Sequence, residues 1–419
     1  MTDDQIQQLI KDETKRQAEN IQMIPSENHT SEEVLSALGT RLSDKYAEGY
    51  PGKRYYGGCS IVDQVEELAR ERAKSLFGVT HANVQPYSGS PANLAAMMAV
   101  LDPRDTIMGL ALPFGGHLTH GHSVSATGQY YRSVPYQTGK DGYLDYDAIA
   151  KLVLKEKPKL IIAGATAYPR EYDWAKFREI ADSVDAWLLA DISHISGLVA
   201  GGAHPSPAGI ADIISTTTHK TLRGPRGAML LCNGEPSNPS KKPERTKDNL
   251  PSLIDRAVFP GLQGGPHINT IAGIAVALQE ASSPEFKAYA NQIIANSRRL
   301  AGELGKRGFN LVTGGSDNHL LLIDMTSKNV TGAEAEAVLD KIGITVNKNA
   351  IPFDPRSPFD PSGIRLGTPA ITTRGMKENE MDLIAEIIDE TILYRVDEKK
   401  LNALSNRVSE LTTNFPLPN

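Results

Sequence analysis

The chain has 419 residues, of which 40% are hydrophobic and 22% are charged, and its formal net charge is −6. This composition provides enough apolar material for a large core and excludes an intrinsically disordered chain. The acidic balance argues against binding nucleic acid or an anionic membrane through the overall field, so a bound anion requires a local cluster of cations.

The two cysteines and the N-terminal residues bear on the cellular compartment. Cys59 and Cys232 are far apart and form no CxxC motif, which excludes a disulfide framework and argues against a thiolate zinc site. The first residues lack the basic and apolar regions of a signal peptide, and no apolar stretch is long enough to span a membrane. We therefore expect a globular, cytoplasmic protein without a membrane segment.

Helical and strand patterns alternate through the first two thirds of the chain. Residues 3–20 are polar with sparse apolar positions and predict a surface helix or an arm lying on a partner. Residues 62–77 predict a stronger helix that ends at Gly78, because apolar side chains recur every 3.6 residues. Further patterns predict helices near 145–155 and 174–184 and strands at 160–163, 187–190, 213–215 and 228–231. This alternation predicts an α/β domain around a mostly parallel sheet.

The pattern changes towards the C-terminus. Residues 234–256 are rich in Pro, Ser, Lys and Asn and predict an exposed excursion, and a long helix is expected near 267–281. Beyond it we expect helices near 284–306, 331–342 and 376–393 and strands at 310–313, 318–325 and 344–347. The length suggests two or three domains. We predict an N-terminal helical arm at 1–22, a large α/β domain at 23–274 and a smaller α+β domain at 275–419.

A segment rich in hydroxyls and cations follows the predicted strand at 213–215. Residues 213–234 contain three Lys or Arg residues and no carboxylate. Near other cations, Lys220 would lose its proton more easily and could attack a carbonyl to form a Schiff base. The hydroxyls and an arginine could hold a phosphate. A solvated basic loop is the alternative interpretation.

Two other segments complement Lys220. Asp191 ends a predicted buried strand, where ligands of open α/β sheets bind, and a protonated pyridine nitrogen would suit its carboxylate. Ser90 and Pro91 predict the start of an apolar helix whose free N–H groups would bind a phosphate. Ordinary capping is the alternative for both. Phosphate-loop, dinucleotide, zinc-protease and serine-hydrolase motifs are absent from the sequence. Together, the three segments indicate pyridoxal phosphate.

Four longer stretches identify a family. Residues 44–58, 216–226, 259–266 and 362–369 resemble the serine hydroxymethyltransferases, and the resemblance runs from about Ile24 to Gly375. It implies an aspartate-aminotransferase-like (fold type I) α/β enzyme. Such an enzyme has a large domain with a mostly parallel, seven-stranded-type sheet and a smaller C-terminal α+β domain. The implied reaction converts L-serine and tetrahydrofolate reversibly to glycine, 5,10-methylenetetrahydrofolate and water. The implied assembly is a homodimer with shared active sites.

The resemblance also implies roles for individual residues. Lys220 would form the aldimine with pyridoxal 5'-phosphate, Asp191 would pair with its pyridine nitrogen and His117 would stack on its ring. Near the phenolic oxygen the resemblance places Thr166 and His194. The implied phosphate-binding residues are Ser88, Gly89, Ser90 and His219, with Gly264 and Gly265 from the neighbouring subunit. Those for the substrate are Arg365 and Ser26 on the carboxylate, together with Glu48, Tyr46 and Tyr56 from the partner subunit. Those beside tetrahydrofolate are Glu48, Tyr55, Leu112, Gly116, Leu118 and Asn349.

Three positions depart from the family pattern, and two other functions remain as alternatives. Phe114 replaces a usual histidine, Thr166 a usual serine and Pro91 a usual glutamine. Thr166 keeps a hydroxyl, whereas Phe114 could alter folate affinity. The first alternative is a folate-independent aldolase acting on threonine or allothreonine-type amino acids. The second is a non-catalytic RNA-binding role, which the acidic charge disfavours.

Overall fold

The computed structural model describes residues 3–234 and 249–418. Its contacts divide the chain into two units, each made from separate stretches of sequence. The larger unit comprises Thr30–Thr166 and Glu171–Ala290, and the smaller comprises Met1–His29, Ala167–Arg170 and Asn291–Asn419. Neither unit is one continuous segment of sequence. The domain boundaries predicted after residues 22 and 274 stay predictions.

A seven-stranded sheet organises the larger unit. Its strands, in spatial order, are His81–Asn83, Ala228–Cys232, Ile213–Thr217, Trp187–Asp191, Leu160–Ala163, Thr106–Met108 and Arg132–Ser133. Ala228–Cys232 runs antiparallel to both of its neighbours, and the other pairs are parallel. The apolar strands are buried along their whole length, as is typical of a sheet covered on both faces. The predicted mostly parallel sheet is confirmed.

Helices cover this sheet, and their ends follow local sequence signals. Gly78 ends the helix Ser60–Phe77 in a left-handed conformation with φ of +67°, as predicted. The predicted helices at 145–155 and 174–184 are observed as Tyr146–Glu156 and Trp174–Asp182, each begun by an aspartate that accepts a backbone N–H. The unit's other α-helices are Glu32–Leu38, Gly89–Val100, Ala126–Tyr130, Ser196–Ala200, Leu250–Arg256 and Ile268–Ala281, and a short hairpin pairs Gly49–Tyr50 with Lys53–Arg54.

The predicted exposed excursion at 234–256 is wrong for its last residues. The side chain of Asn249 accepts a hydrogen bond from the N–H of Ser252 and begins the helix Leu250–Arg256. Leu250 and Ile254 pack into the core cluster of the unit. Burial of these two side chains outweighs the polar composition around them. Residues 235–248 of the predicted excursion lie outside the described residues.

The smaller unit contains a four-stranded antiparallel sheet. Its strands, in spatial order, are Asn310–Leu311, Leu320–Asp324, Gly363–Gly367 and Asn347–Asn349. The strand predicted at 344–347 is wrong in extent, because Ile344–Thr345 pairs instead with Ile21–Gln22. The helices after Ala281 and at the N-terminus are Pro284–Lys306, Gly332–Lys341, Pro369–Thr373, Glu378–Leu393, Glu398–Asn414 and Asp4–Glu19. The division between the two units falls within Pro284–Lys306.

The N-terminal helix Asp4–Glu19 has no buried residue, which confirms a helix here and fits both the predicted surface helix and an arm lying on a partner. Its apolar positions Ile6, Leu9 and Ile10 are about half exposed. Within the described part of the chain, no helix combines the length and the apolarity needed to cross a membrane.

Arg374 ties the ends of two helices together in the smaller unit. Its buried guanidinium donates five hydrogen bonds to backbone carbonyls. The acceptors and their distances are Phe415 at 2.6 Å, Asn20 at 2.8 Å, Ala18 at 2.9 Å, Thr412 at 3.0 Å and Gln17 at 3.4 Å. These carbonyls lie at the C-terminal ends of Asp4–Glu19 and Glu398–Asn414, where a cation also complements the helix dipole.

The variant Arg374→Met should lower the free energy of unfolding by about 3 kcal/mol, because it leaves buried helix-end carbonyls without donors. Urea titration followed by circular dichroism measures this change. The control Arg395→Met alters an exposed arginine and should cost less than about 0.5 kcal/mol. Equal losses in the two variants would contradict the role assigned to Arg374.

Candidate active site

A buried carboxylate lies at the carboxyl end of a central strand. Asp191 is the last residue of Trp187–Asp191. Its Oδ2 atom accepts a hydrogen bond from Asn93 Nδ2 at 2.8 Å and lies 3.0 Å from His120 Nε2, and its Oδ1 accepts from Ser193 N at 3.0 Å. Burial by itself raises the pKa of Asp191, but His120 and the donors from Ser193 and Asn93 hold that pKa well below its usual range. The carboxylate is therefore ionised at neutral pH.

A buried chain of hydrogen bonds connects Asp191 to His117. Asn93 Nδ2 also donates to Thr119 Oγ1 at 2.9 Å, and this hydroxyl lies 2.7 Å from His117 Nδ1. The backbone N–H of Thr119 donates to the same ring nitrogen at 3.2 Å, so His117 Nδ1 is an acceptor. Burial, together with nearby His120 and Lys220, lowers the pKa of His117 to about 4. A neutral imidazole is thus held in one orientation beside the carboxylate network.

Lys220 comes to the same edge of the sheet as Asp191. The strand Ile213–Thr217 lies parallel to Trp187–Asp191, with Asp191 opposite Ser215. Since the carboxyl ends of neighbouring parallel strands meet at one edge, the residues that follow these strands converge. Lys220 Nζ donates to Thr217 Oγ1 at 2.9 Å. The predicted pair of lysine and carboxylate is therefore brought together by the sheet.

The helix Gly89–Val100 begins at this edge, but not where the sequence predicted. Ser88, and not Ser90, is the N-cap residue, and the Ser88 carbonyl accepts from Ala92 N at 3.1 Å. The extended backbone of Ser88 starts the helix two residues earlier than Ser90 and Pro91 suggested. A Cβ added at Gly89 would lie 2.7 Å from Thr217 Cγ2, so glycine permits this helix start to approach the strand that precedes Lys220.

His219 provides an unused polar group at the same place. Its Nδ1 atom is buried and has no hydrogen-bond partner among the described residues. Burial, and then the charges of Lys220 and Arg226, lower the pKa of His219 to about 3. A buried polar atom without a partner is costly unless a ligand satisfies it.

These residues fit pyridoxal phosphate. The helix start at Ser88 and Gly89 and the unpartnered His219 nitrogen suit a phosphate. Asp191 suits a protonated ring nitrogen, and Lys220 supplies an amine for the carbonyl carbon.

Thr166 and a cleft lie next to this group. Thr166 Oγ1 donates to the carbonyls of Gly115 and Gly116, each at 3.2 Å, which anchors the loop before His117. A cleft of about 500 Å³ is lined by residues that include Leu112 and His117. Leu118, which directly follows His117 in sequence, is 42% exposed. The side chain of His194 is buried, and its carbonyl accepts from Thr221 Oγ1 at 3.0 Å.

A second cluster gathers the predicted partner-subunit residues on one surface of the same chain. The Tyr46 and Tyr56 rings meet edge to face with centroids 5.0 Å apart, and the charge of Glu48 raises the pKa of Tyr46. A Cβ at Gly264 would lie 3.0 Å from Glu48 Oε1, and one at Gly265 would touch the Tyr46 ring at 3.4 Å. The exposed fractions in this region are 56% for Tyr46, 73% for Tyr55 and 47% for Tyr56.

The remaining predicted residues belong to the smaller unit. Arg365 lies in the strand Gly363–Gly367 and donates from Nε to Asn347 Oδ1 at 3.0 Å. Burial lowers the pKa of Arg365 to about 10, so the side chain stays cationic at neutral pH. Asn349 Nδ2 donates to the carbonyl of Ala350 at 2.7 Å, and Ser26 is half-buried. The roles of these three residues stay predictions.

Several residues at the site were missed from the sequence. Asn93, His120 and Ser193 compensate Asp191, and Thr217 contacts Lys220. Asn93 had a usable signal, because a polar residue inside an otherwise apolar helix needs a buried partner. His120 lies 71 residues from Asp191 and has no local signature, whereas Ser193 and Thr217 lie only two and three residues from the side chains that they contact.

Comparison with known proteins gives one consistent family. A family model described as serine hydroxymethyltransferase matches residues 1–388. A relative named serine hydroxymethyltransferase from Acidothermus cellulolyticus is 58% identical, with 100% of this chain and 96% of the relative covered. Relatives with the same name from Sorangium cellulosum and Legionella pneumophila are 54% and 53% identical. Each of these alignments covers 99% of this chain, with 95% and 97% of the respective relative.

The lowered pKa of His219 predicts how stability depends on pH in the cofactor-free protein. Its pKa of about 3 in the folded chain is below the value of about 6.5 expected after unfolding. The unfolded chain therefore binds the proton first, and stability falls as the pH drops below about 6.5. Between pH 7.5 and pH 5 the loss due to this residue should be up to about 2 kcal/mol.

Urea titrations at the two pH values should show a smaller loss for His219→Asn than for the unaltered chain. The variant His117→Asn should behave in the same way, because the pKa of His117 is lowered as well. Identical pH dependence in all three proteins would contradict the burial of neutral histidines.

Proposed function

Because the chain belongs to the serine hydroxymethyltransferase family, we propose that it transfers the hydroxymethyl carbon of L-serine to tetrahydrofolate. The reaction is reversible and yields glycine, 5,10-methylenetetrahydrofolate and water. The Cα–Cβ bond of serine breaks, the released carbon bonds to two folate nitrogens, and the serine hydroxyl oxygen leaves as water. The observation that carries the proposal is the meeting of ionised Asp191 and Lys220 at one edge of the sheet.

Each residue around the cofactor contributes in a defined way. Pyridoxal phosphate, when bound, supplies an electron sink for the bond broken at the substrate Cα. Asp191 holds a proton on the ring nitrogen, because its carboxylate remains ionised although buried. Lys220 provides the amine that anchors the carbonyl carbon. His117, kept neutral by burial, would lie beside the ring without adding a competing positive charge.

The substrate is proposed to be held from its carboxylate end. The guanidinium fork of Arg365 matches a carboxylate in two hydrogen bonds and so fixes which bond at Cα is broken. Ser26 assists at the same group. Glu48 carries the proton between the serine hydroxyl and the folate, with Tyr46 and Tyr56 beside it.

Tetrahydrofolate is proposed to lie along Leu112, Gly116 and Leu118, with Tyr55 and Asn349 completing its site. Partly exposed leucines beside a cleft suit a flat ring system. Thr166 keeps the hydroxyl expected at its position.

We propose a homodimer in which each site combines both chains. Lys220 and Asp191 form one cluster, whereas Tyr46, Glu48 and Gly264 form another on the same chain. The second cluster exposes tyrosines, which are enriched at protein interfaces. A second copy would cover these rings and bring Glu48 to the lysine of its neighbour. We also propose that the enzyme acts in the cytoplasm.

Serine turnover should depend on tetrahydrofolate. Glycine formation is measured with and without the folate at saturating serine, and omission should lower the rate by at least about 100-fold. The control Lys220→Ala should lose turnover and the visible absorbance of the bound cofactor. Equal rates with and without folate would instead indicate an aldolase acting on β-hydroxy amino acids.

Mixed dimers test whether the sites are shared. Lys220→Ala should be inactive and Glu48→Gln should keep only a small residual activity, and reassembly of the two in equal amounts should restore about a quarter of the wild-type activity. The reason is that half of the dimers are mixed, and each mixed dimer rebuilds one of its two sites. If each site used a single chain, the mixture would be no more active than its two parent variants taken together.

A further inference from the structure

The backbone around Glu48 is held by one arginine. Arg54 Nη1 donates to the carbonyls of Ala47 and Gly49, each at 2.8 Å. The carbonyl of Glu48 accepts from Tyr55 N at 3.0 Å. Three successive carbonyls, centred on Glu48, are therefore fixed by Arg54 and by the residue that follows it.

Two carboxylates fix Arg54 in turn. Its Nε donates to Asp63 Oδ1 at 2.8 Å, and its Nη2 donates to Glu66 Oε2 at 2.6 Å. Both acids belong to the helix Ser60–Phe77. The Arg54 side chain is 3% exposed and that of Glu66 is 1% exposed, so this ion pair is almost completely desolvated. A buried pair is rigid because separating it leaves an uncompensated charge.

The same contacts extend to the glycines that adjoin Glu48. Gln85 Nε2 donates to Glu66 Oε1 at 2.8 Å and to the Gly49 carbonyl at 2.9 Å. Gln263 Nε2 donates to the Gln85 carbonyl at 2.9 Å. Gln263 directly precedes Gly264, whose Cβ position lies 3.0 Å from Glu48 Oε1. Hydrogen bonds through Glu66, Gln85 and Gln263 thus connect Arg54 to the backbone at Gly49 and to the backbone next to Gly264.

We propose that Arg54 is a positioning residue, which acts through Glu48 by fixing where its carboxylate is presented. The inference rests on the proposed role of Glu48 as proton carrier. Proton transfer needs the carboxylate within hydrogen-bond reach of its partner, so a small displacement of the Glu48 backbone lowers the rate.

Lysine cannot replace arginine in this arrangement. The contacts need donors in three directions at once, towards Asp63, towards Glu66 and towards the pair of carbonyls at 47 and 49. A guanidinium supplies them in one rigid plane, whereas an ammonium is a single point with three donors. We expect Arg54→Lys to keep contact with the carboxylates and to release the carbonyls.

A double-mutant cycle tests the proposal. The kcat for glycine formation from serine and tetrahydrofolate is measured for Arg54→Lys, for Glu48→Gln and for the double variant, all in the cofactor-loaded dimer. Arg54→Lys should lower kcat about 10- to 100-fold in the Glu48 protein but less than about threefold in the Glu48→Gln protein, because residues acting as one unit are not additive. The KM for serine should change less than about threefold, since Arg54 touches no proposed carboxylate ligand.

Arg178→Lys is the matched control. Arg178 belongs to the same unit and likewise bridges two carboxylates, Asp212 at 2.8 Å and Asp182 at 2.7 Å, and a backbone carbonyl. This variant should lose similar stability while keeping kcat within about twofold.

The outcomes separate the inference from the proposed function. If wild-type turnover needs no folate, the proposed function fails. If Glu48→Gln keeps full activity, the role of Glu48 fails. If Glu48→Gln is impaired but Arg54→Lys lowers kcat by the same factor in both backgrounds, or leaves it unchanged, the positioning role is overturned. Should Arg54→Lys fail to fold, the more exposed Asp63→Asn enters the same cycle, and a loss confined to the Glu48 background supports the proposal.

Discussion

The ionised, buried carboxylate of Asp191 is the constraint on which the active site depends. A carboxylate moved out of water without compensation becomes protonated, and a neutral acid would not hold a proton on a pyridine nitrogen. The cost is offset by an imidazole, an amide and a backbone N–H, which come from His120, Asn93 and Ser193. These groups lie on different elements, so keeping the charge also fixes the elements around it. His117 is oriented as a consequence, because Thr119 connects it to Asn93.

The net charge of the chain gives no information about this site. The overall charge of −6 predicts no general attraction for anions. The proposed cofactor and substrate are nevertheless anionic, and they are matched by local features. Lys220 and Arg226 lie close enough to lower the pKa of His219, and Arg365 stays cationic although burial lowers its pKa. An average over the surface therefore says little about a pocket in which a few cations act at short range.

Local patterns predicted those parts of the fold and site that local chemistry determines. Lys220 and Asp191 could be found because Asp191 ends an apolar strand and Lys220 follows the neighbouring one, and parallel strands bring their carboxyl ends together. The helix start at Ser88 was misplaced by two residues, because Ser90 and Pro91 carry an equally good local signal. Nothing in the sequence indicated that Arg54 is a positioning residue, since this proposed role depends on contacts with Glu66 and with carbonyls that the hairpin brings to it. Contacts made by long-range pairing could not be predicted from one sequence.

The compensation of Asp191 also has a consequence for how the chain folds. Asn93 is 98 residues from Asp191 in sequence and His120 is 71 residues away, while Ser215, which donates to Asn93, is 122 residues beyond it. Contacts of such high sequence separation form slowly, because the loops between them must close first. During synthesis, the aspartate leaves the ribosome long after its amide partner and before the strand that carries Ser215. The carboxylate pocket is therefore complete only after Asn93, His120 and the strand that carries Ser215 have come together.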